Sequence, residues 1–395
     1  MSRTTGGESG GEYSARVPTP PLPTAPVPLA TATAIGAADL RRLLDEPEGV
    51  GVFAGRPLVA VRLDGDADLG PLLHRLAGVP AVTVGVAPAR DLATVAGTPA
   101  VGGLDVLLTE TSLTETSGPP APWVSCADVA DAVAVLSGRA TANPTAAVAL
   151  VQLLRLSARL DVAEGLVAES FVYGLLQAGA EHRRWLARQS ARRRRRSARS
   201  QDRAVRLERH GAVLEVELHR PEVRNAFNAR MRDELAAAFE LAVADATLGE
   251  VRVTGAGPSF CSGGDLDEFG TTTDPSVAHL VRTTRSAARS MLPCADRVVF
   301  AVHGACIGAG LELAALAGRV EADRGTTFVL PEVAMGLVPG AGGTATLTRR
   351  IGRHRTAYLA LSGLPVDSGT AARWGLVDEV TAVAGTGGRP PGSAT

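Results

Sequence analysis

Hydrophobic and polar positions along this chain follow two periods, and the places where the period changes divide it. Apolar runs stand at Pro57–Leu63, Ala81–Val86 and Leu104–Leu108, with a helical stretch, Leu72–Leu76, between the first two. Strands alternating with helix predict an α/β layer. Beyond Asn143-Pro144 the spacing lengthens: Val148, Val151, Leu154 and Ala158, then Leu166, Ser170, Tyr173 and Leu176, recur at helical intervals. Long amphipathic helices are therefore expected as far as Gln189. From Leu214 the short period returns. Leu214, Val216 and Leu218 alternate with Glu215 and Glu217, which predicts a strand with one buried face after a turn at His210-Gly211. Met231, Leu235, Ala238 and Ala242 predict a helix, and Glu250–Thr254 and Val298–Val302 two further strands.

Composition changes this picture in four places. At 395 residues the chain can bury the core of two domains or of one large one. Its net charge of −1 excludes a globally basic nucleic-acid binder but not a local patch. The chain has no lysine, so any phosphate contact falls to arginine or to backbone amides. Cys126, Cys261, Cys294 and Cys306 lack paired spacing, which suggests reduced thiols rather than a zinc site or a disulfide framework.

There is no apolar run of about 18 residues, so no membrane helix is expected. Residues Met1–Ala30 lack the apolar centre of a secretory signal, and a cytoplasmic location is expected. The boundaries implied are a disordered tail (1–35), an α/β and helical unit (36–190), an arginine-rich linker (191–205), a second unit (206–380) and a flexible tail (381–395). The linker holds Arg192–Arg196. Such a run is usually solvated, but it could also meet the phosphates of a carrier or contact RNA. It lacks interleaved aromatics, so nucleic acid is not the expected partner.

Three glycine-rich turns carry the candidate chemistry. They are Ser259-Phe260-Cys261-Ser262-Gly263-Gly264-Asp265-Leu266, then His303-Gly304-Ala305-Cys306-Ile307-Gly308-Ala309-Gly310-Leu311-Glu312, then Leu330-Pro331-Glu332 leading to Met335–Thr344. Glu312 and Glu332 lie 20 residues apart, each beside such a turn. Two carboxyls can move protons while free amides hold a developing oxyanion, as adding water to an activated thioester requires.

Together with His219-Arg220-Pro221-Glu222-Val223-Arg224-Asn225-Ala226, Leu361-Ser362-Gly363 and Gly375-Leu376-Val377-Asp378-Glu379-Val380, these turns resemble the crotonase (enoyl-CoA hydratase/isomerase) superfamily from about Arg206 to Val380. The resemblance implies an α/β fold of stacked ββα units and a trimer or hexamer. It also implies a coenzyme A thioester as substrate, with no metal and no redox cofactor. It assigns the oxyanion-hole amides to Gly264 and Ala309, where many members have Gly at the second position. It assigns the paired carboxyls to Glu312 and Glu332, and the carrier path to Arg224, Ala226, Ser262, Asp265 and Leu266. Both glutamates together favour a hydratase, a lyase, over an isomerase.

The long N-terminal region also resembles that of the (3,5-dihydroxyphenyl)acetyl-CoA dioxygenases, a cofactor-free alternative. A non-catalytic acyl-CoA-binding or RNA-binding protein is the alternative of another class. Asn143–Gln189 looks like the helices that normally close a crotonase domain at its C-terminal end. The first unit is then either a degenerate crotonase-like repeat whose helices cover the second unit, or an unrelated accessory domain. His303 reads as a structural histidine at a strand end. Cys261 and Cys306 lack an activating base.

Overall fold

The computed structural model describes residues 33–46, 49–64, 68–96, 99–110, 118–192 and 203–382. Arg193–Arg196 and most of both tails lie outside them. The first unit is a four-stranded parallel sheet in chain order: Leu58–Arg62, Val82–Pro88, Val106–Glu110 and Val124–Cys126. Ile35, assigned from sequence to the tail, instead bridges to Val61 at the sheet edge.

Strand alternation gives this sheet two different faces. Val59, Val61 and Leu107 pack with Leu73, Leu76 and Trp123. Val82, Val84, Val106 and Leu108 join a core that continues through Leu150 and Leu154 to Phe239, Phe300 and Leu347. The two units of the chain therefore share one apolar interior. Asp105, 1% exposed, strengthens the join: it accepts from Thr83 N–H (2.9 Å), Thr83 Oγ1 (2.8 Å) and Arg155 Nε (2.8 Å). Arg353 of the second unit lies 3.5 Å from the same carboxylate.

Four helices follow the sheet: Val129–Ala142, Pro144–Ser157, Val162–Gln177 and Ala180–Arg192. Pro144 opens the second at a position where its missing N–H costs nothing. The next free amides of that helix, Thr145 and Ala146, donate to Glu181 at 2.8 and 3.0 Å. Asp161 and Glu164 form a capping box that starts the third. That third helix lies across Pro275–Thr284 and Gly343–Ile351 of the second unit. The helices expected from sequence thus cover the second unit. Among the described residues no helix is long and apolar enough to cross a membrane.

The second unit contains two sheets. In the six-stranded one, the hairpin Val205–His210 and Val213–Leu218 forms one edge, and the remaining strands are parallel. The smaller sheet positions the chemistry. Its strands Cys261–Ser262, Ala305–Ile307 and Thr327–Val329 run parallel, and Ile307 stands between Ser262 and Val329.

Candidate active site

Three neighbouring parallel strands end together, so the segments leaving them converge. The first releases Gly264, the second Ala309, and the third Glu332 after Leu330-Pro331. Ala309 begins the helix Ala309–Ala314, which places Glu312 one turn further on. Among the described residues no backbone carbonyl receives the N–H of Gly264 or Ala309. Both residues line a cavity of about 240 Å³. Gly308 allows the close approach of strand and carboxyl: its φ is +50°, and a methyl there would fall 2.7 Å from Glu332 Oε1.

Glu312 and Glu332 face the same cavity from different surroundings. Glu312 is 2% exposed and accepts from the amides of Ala341 (2.7 Å) and Gly343 (2.9 Å). Burial pushes its carboxyl up to about 7, while the amides at Gly343, Ala341 and Gly340 pull the other way. Glu332 Oε2 is buried with no hydrogen-bond partner among the described residues. Burial, then the negative charge of Glu312, hold the Glu332 carboxyl well above the usual range. One carboxylate is stabilised by amides and the other favours its neutral form.

Five of the nine site residues expected from sequence line this cavity: Gly264, Asp265, Ala309, Glu312 and Glu332. Asp265 is engaged by Arg220 at 2.9 Å, and its own N–H donates to Phe227. Arg224, Ala226, Ser262 and Leu266 are not among the residues that line the cavity. The Arg224 side chain is exposed, and its carbonyl accepts from Ser262 N–H at 3.0 Å. Ser262 Oγ donates to the Val223 carbonyl (3.2 Å), the Ala226 carbonyl accepts from Arg220, and Leu266 is 50% exposed. His303 Nε2 pairs with the Gly257 carbonyl at 2.9 Å, a structural contact. Burial pushes the thiols of Cys261 and Cys306 up, which keeps them protonated.

Part of the remaining wall comes from the helices expected to cover the second unit, though the side chains that reach the cavity were not singled out from sequence. Tyr173, Gln177 and His182 line the cavity beside Phe269 and Arg282. The Arg282 guanidinium lies 4.4 Å from the Tyr173 ring centroid and donates to Ser170 Oγ at 3.1 Å. The same tyrosine ring lies against Gly340, where an added methyl would fall 2.4 Å from Cε2. His182, 2% exposed, pairs through Nδ1 with the Met335 carbonyl at 3.0 Å and stacks on Trp185. Behind these, Glu169 is 3% exposed and accepts from Gly342 and Thr344. A glutamate and a tyrosine four residues apart on an otherwise apolar helix face were the available signal.

The enoyl-CoA hydratase/isomerase family model matches residues 208–386. A 2,3-dehydroadipyl-CoA hydratase of Escherichia coli (strain K12) is 34% identical over 175 residues, which cover 44% of this chain and 68% of the relative. A mevalonyl-coenzyme A hydratase of Aspergillus fumigatus is 33% identical over 168 residues, covering 42% and 62%. The crystal structure of an enoyl-CoA hydratase from Thermoplasma volcanium GSS1 aligns with a TM-score of 0.43 at 34% identity, covering 46% of this chain and 73% of that one. The chain belongs to the enoyl-CoA hydratase/isomerase family.

Proposed function

We propose that this protein is an acyl-CoA lyase that adds water reversibly to a 2-enoyl thioester. The observation that carries this reading is the pair of buried carboxyls with opposed environments beside two unpartnered amides. The thioester oxygen would accept from the N–H groups of Gly264 and Ala309. These stabilise the enolate, and losing one such donor typically costs about 3 kcal/mol of barrier. Glu312, the carboxylate braced by amides, takes one proton from water as the oxygen bonds to Cβ. Glu332, held neutral, gives its proton to Cα as the enolate collapses. Exchange with solvent then restores both groups. The orphaned Glu332 oxygen suits a site that holds water. The carrier phosphates fall to arginine or backbone amides, since the chain has no lysine.

Incubating the protein with crotonyl-CoA in deuterium oxide tests the proposal. The expected product is 3-hydroxybutyryl-CoA with one solvent deuteron at Cα. A shift of the double bond without uptake of water would assign an isomerase. No reaction across short, long and aromatic 2-enoyl thioesters would overturn the hydratase reading. The trimer implied by the resemblance is checked by sedimentation.

A further inference from the structure

Four successive amides leading into the helix Gly343–Ile351 are divided between two carboxylates from distant parts of the chain. Ala341 and Gly343 donate to Glu312 at 2.7 and 2.9 Å. Gly342 and Thr344 donate to Glu169 at 2.7 and 2.8 Å, and Thr344 Oγ1 adds a third bond at 2.7 Å. Because the amides alternate, the segment cannot turn toward one carboxylate without loosening its bonds to the other. Glu169 therefore fixes the orientation of the amides that hold Glu312.

A plain helix cap does not account for Glu169. Serine or asparagine caps helix amides without burying a charge. Here a carboxyl is 3% exposed and stands near two other buried carboxyls, an arrangement costly to desolvate. The titratable and charged groups acting on it from the surrounding elements are Glu312, Glu332, Tyr173 and Arg282. Arg282 is the one cation among these four. Burial first, and then the charge of Glu312, push the Glu169 carboxyl up. Glu169 in turn contributes to holding the proton on Glu332, after burial and Glu312.

We propose that Glu169 is a positioning residue of the hydration site, supplied by the first unit, which locks segment 341–344 so that Glu312 meets water in one orientation and Glu332 stays the acid. The proposal rests on the hydratase reading for its role, and on the shared amides for its geometry. It makes the helix Val162–Gln177 part of the catalytic apparatus rather than a cover over it.

Glu169→Gln keeps the volume and removes the charge. Its kcat on the substrate accepted by the wild type should fall about 10–100-fold, as misplaced groups cause, with KM within about threefold. The alkaline limb of the kcat–pH profile should move down by about one unit, because a like charge near Glu332 is gone. An infrared titration of the Glu332 carboxyl band, identified by its loss in Glu332→Gln, should move the same way whatever reaction the site performs. Failure of the hydratase reading is thereby distinguished from failure of this one.

An unshifted band, or a fall in kcat and thermal stability with both limbs unmoved, would reduce Glu169 to a docking contact and overturn the proposal. If Glu169→Gln does not fold, Thr344→Val removes only the hydroxyl bond. It should lower kcat severalfold at constant KM, and a wild-type kcat there would also overturn the proposal.

Discussion

Two of the sheets, one in each unit, open a cavity where neighbouring parallel strands end. At the first, a cavity of about 440 Å³ is lined by Arg62, Asp64, Arg90 and Glu110 together with Leu63 and Val86. At the second lies the smaller cavity with Glu312 and Glu332. Parallel strands direct their carboxyl ends into such crevices whatever the chemistry. The difference lies in how the chain leaves the strands. In the first sheet all four charged side chains are exposed, where water screens them. In the second, glycine turns leave two amides without a backbone partner among the described residues, and the carboxyls are buried deeply enough to separate their proton affinities. Topology supplies the crevice; burial and free N–H groups supply the reactivity.

The most severe test of that contrast is to neutralise the buried carboxyls. Glu312→Gln and Glu332→Gln should each lower hydration kcat by about 10²–10⁴-fold with substrate binding nearly intact, since an amide keeps the shape but cannot exchange the proton. A turnover within a few-fold of wild type for either would make the two cavities chemically alike.

Next in size is the join between the units. Asp105→Ala removes the carboxylate that Arg155 and Arg353 share and leaves them backbone carbonyls, and equilibrium denaturation should show a loss of about 3–5 kcal/mol. A loss under 1 kcal/mol would mean that the first sheet is only loosely coupled to the second unit.

A smaller effect should appear in the pH dependence of stability. Glu312 and Glu169 are raised to about 7 and about 8, and Glu332 is raised as well. The native state therefore binds more protons than the unfolded chain above a pH of about 4.5, the ordinary value of a glutamate. Stability from these groups is complete below that pH and is lost as pH rises through 7 to 8. Melting at pH 5 should exceed melting at pH 8 by a margin that shrinks in Glu332→Gln; an equal margin in the variant would contradict the burial argument.

The smallest effect belongs to the first cavity. Arg62→Ser and Glu110→Gln should leave kcat and KM unchanged and stability within about 0.5 kcal/mol. Any large drop in turnover would make that crevice part of the site.

Local signals explain what the sequence revealed. Glu312, Glu332, Gly264 and Ala309 lie in or beside turns that can be recognised within a dozen residues. Alternation at Leu214–Leu218 and in the strands before Leu108 marked the sheets. Three-residue strands such as Val124–Cys126 carry too short a pattern to register. The shared interior was not legible either, because periodicity shows that Val82 and Val84 are buried but not against what. Glu169 escaped for a related reason. Its partners are 173 and 175 positions away, and Leu166, Ser170, Tyr173 and Leu176 made its helix read as core. Arg224 was assigned through the resemblance; its side chain is exposed and its carbonyl accepts from Ser262.

The division of four amides between two carboxylates also imposes an order on biosynthesis. Glu169 leaves the ribosome long before Thr344, which is 175 residues later. At roughly 5–20 residues per second, that is about 9–35 s in which the helix carries a carboxylate with no amides to bind it. A charge cannot be buried unpaired, so during that interval this face must stay wet and the helix cannot reach its final seat. The last turn of synthesis to matter for the site is therefore the start of the helix at Gly343, which lets the earlier helix dry and close.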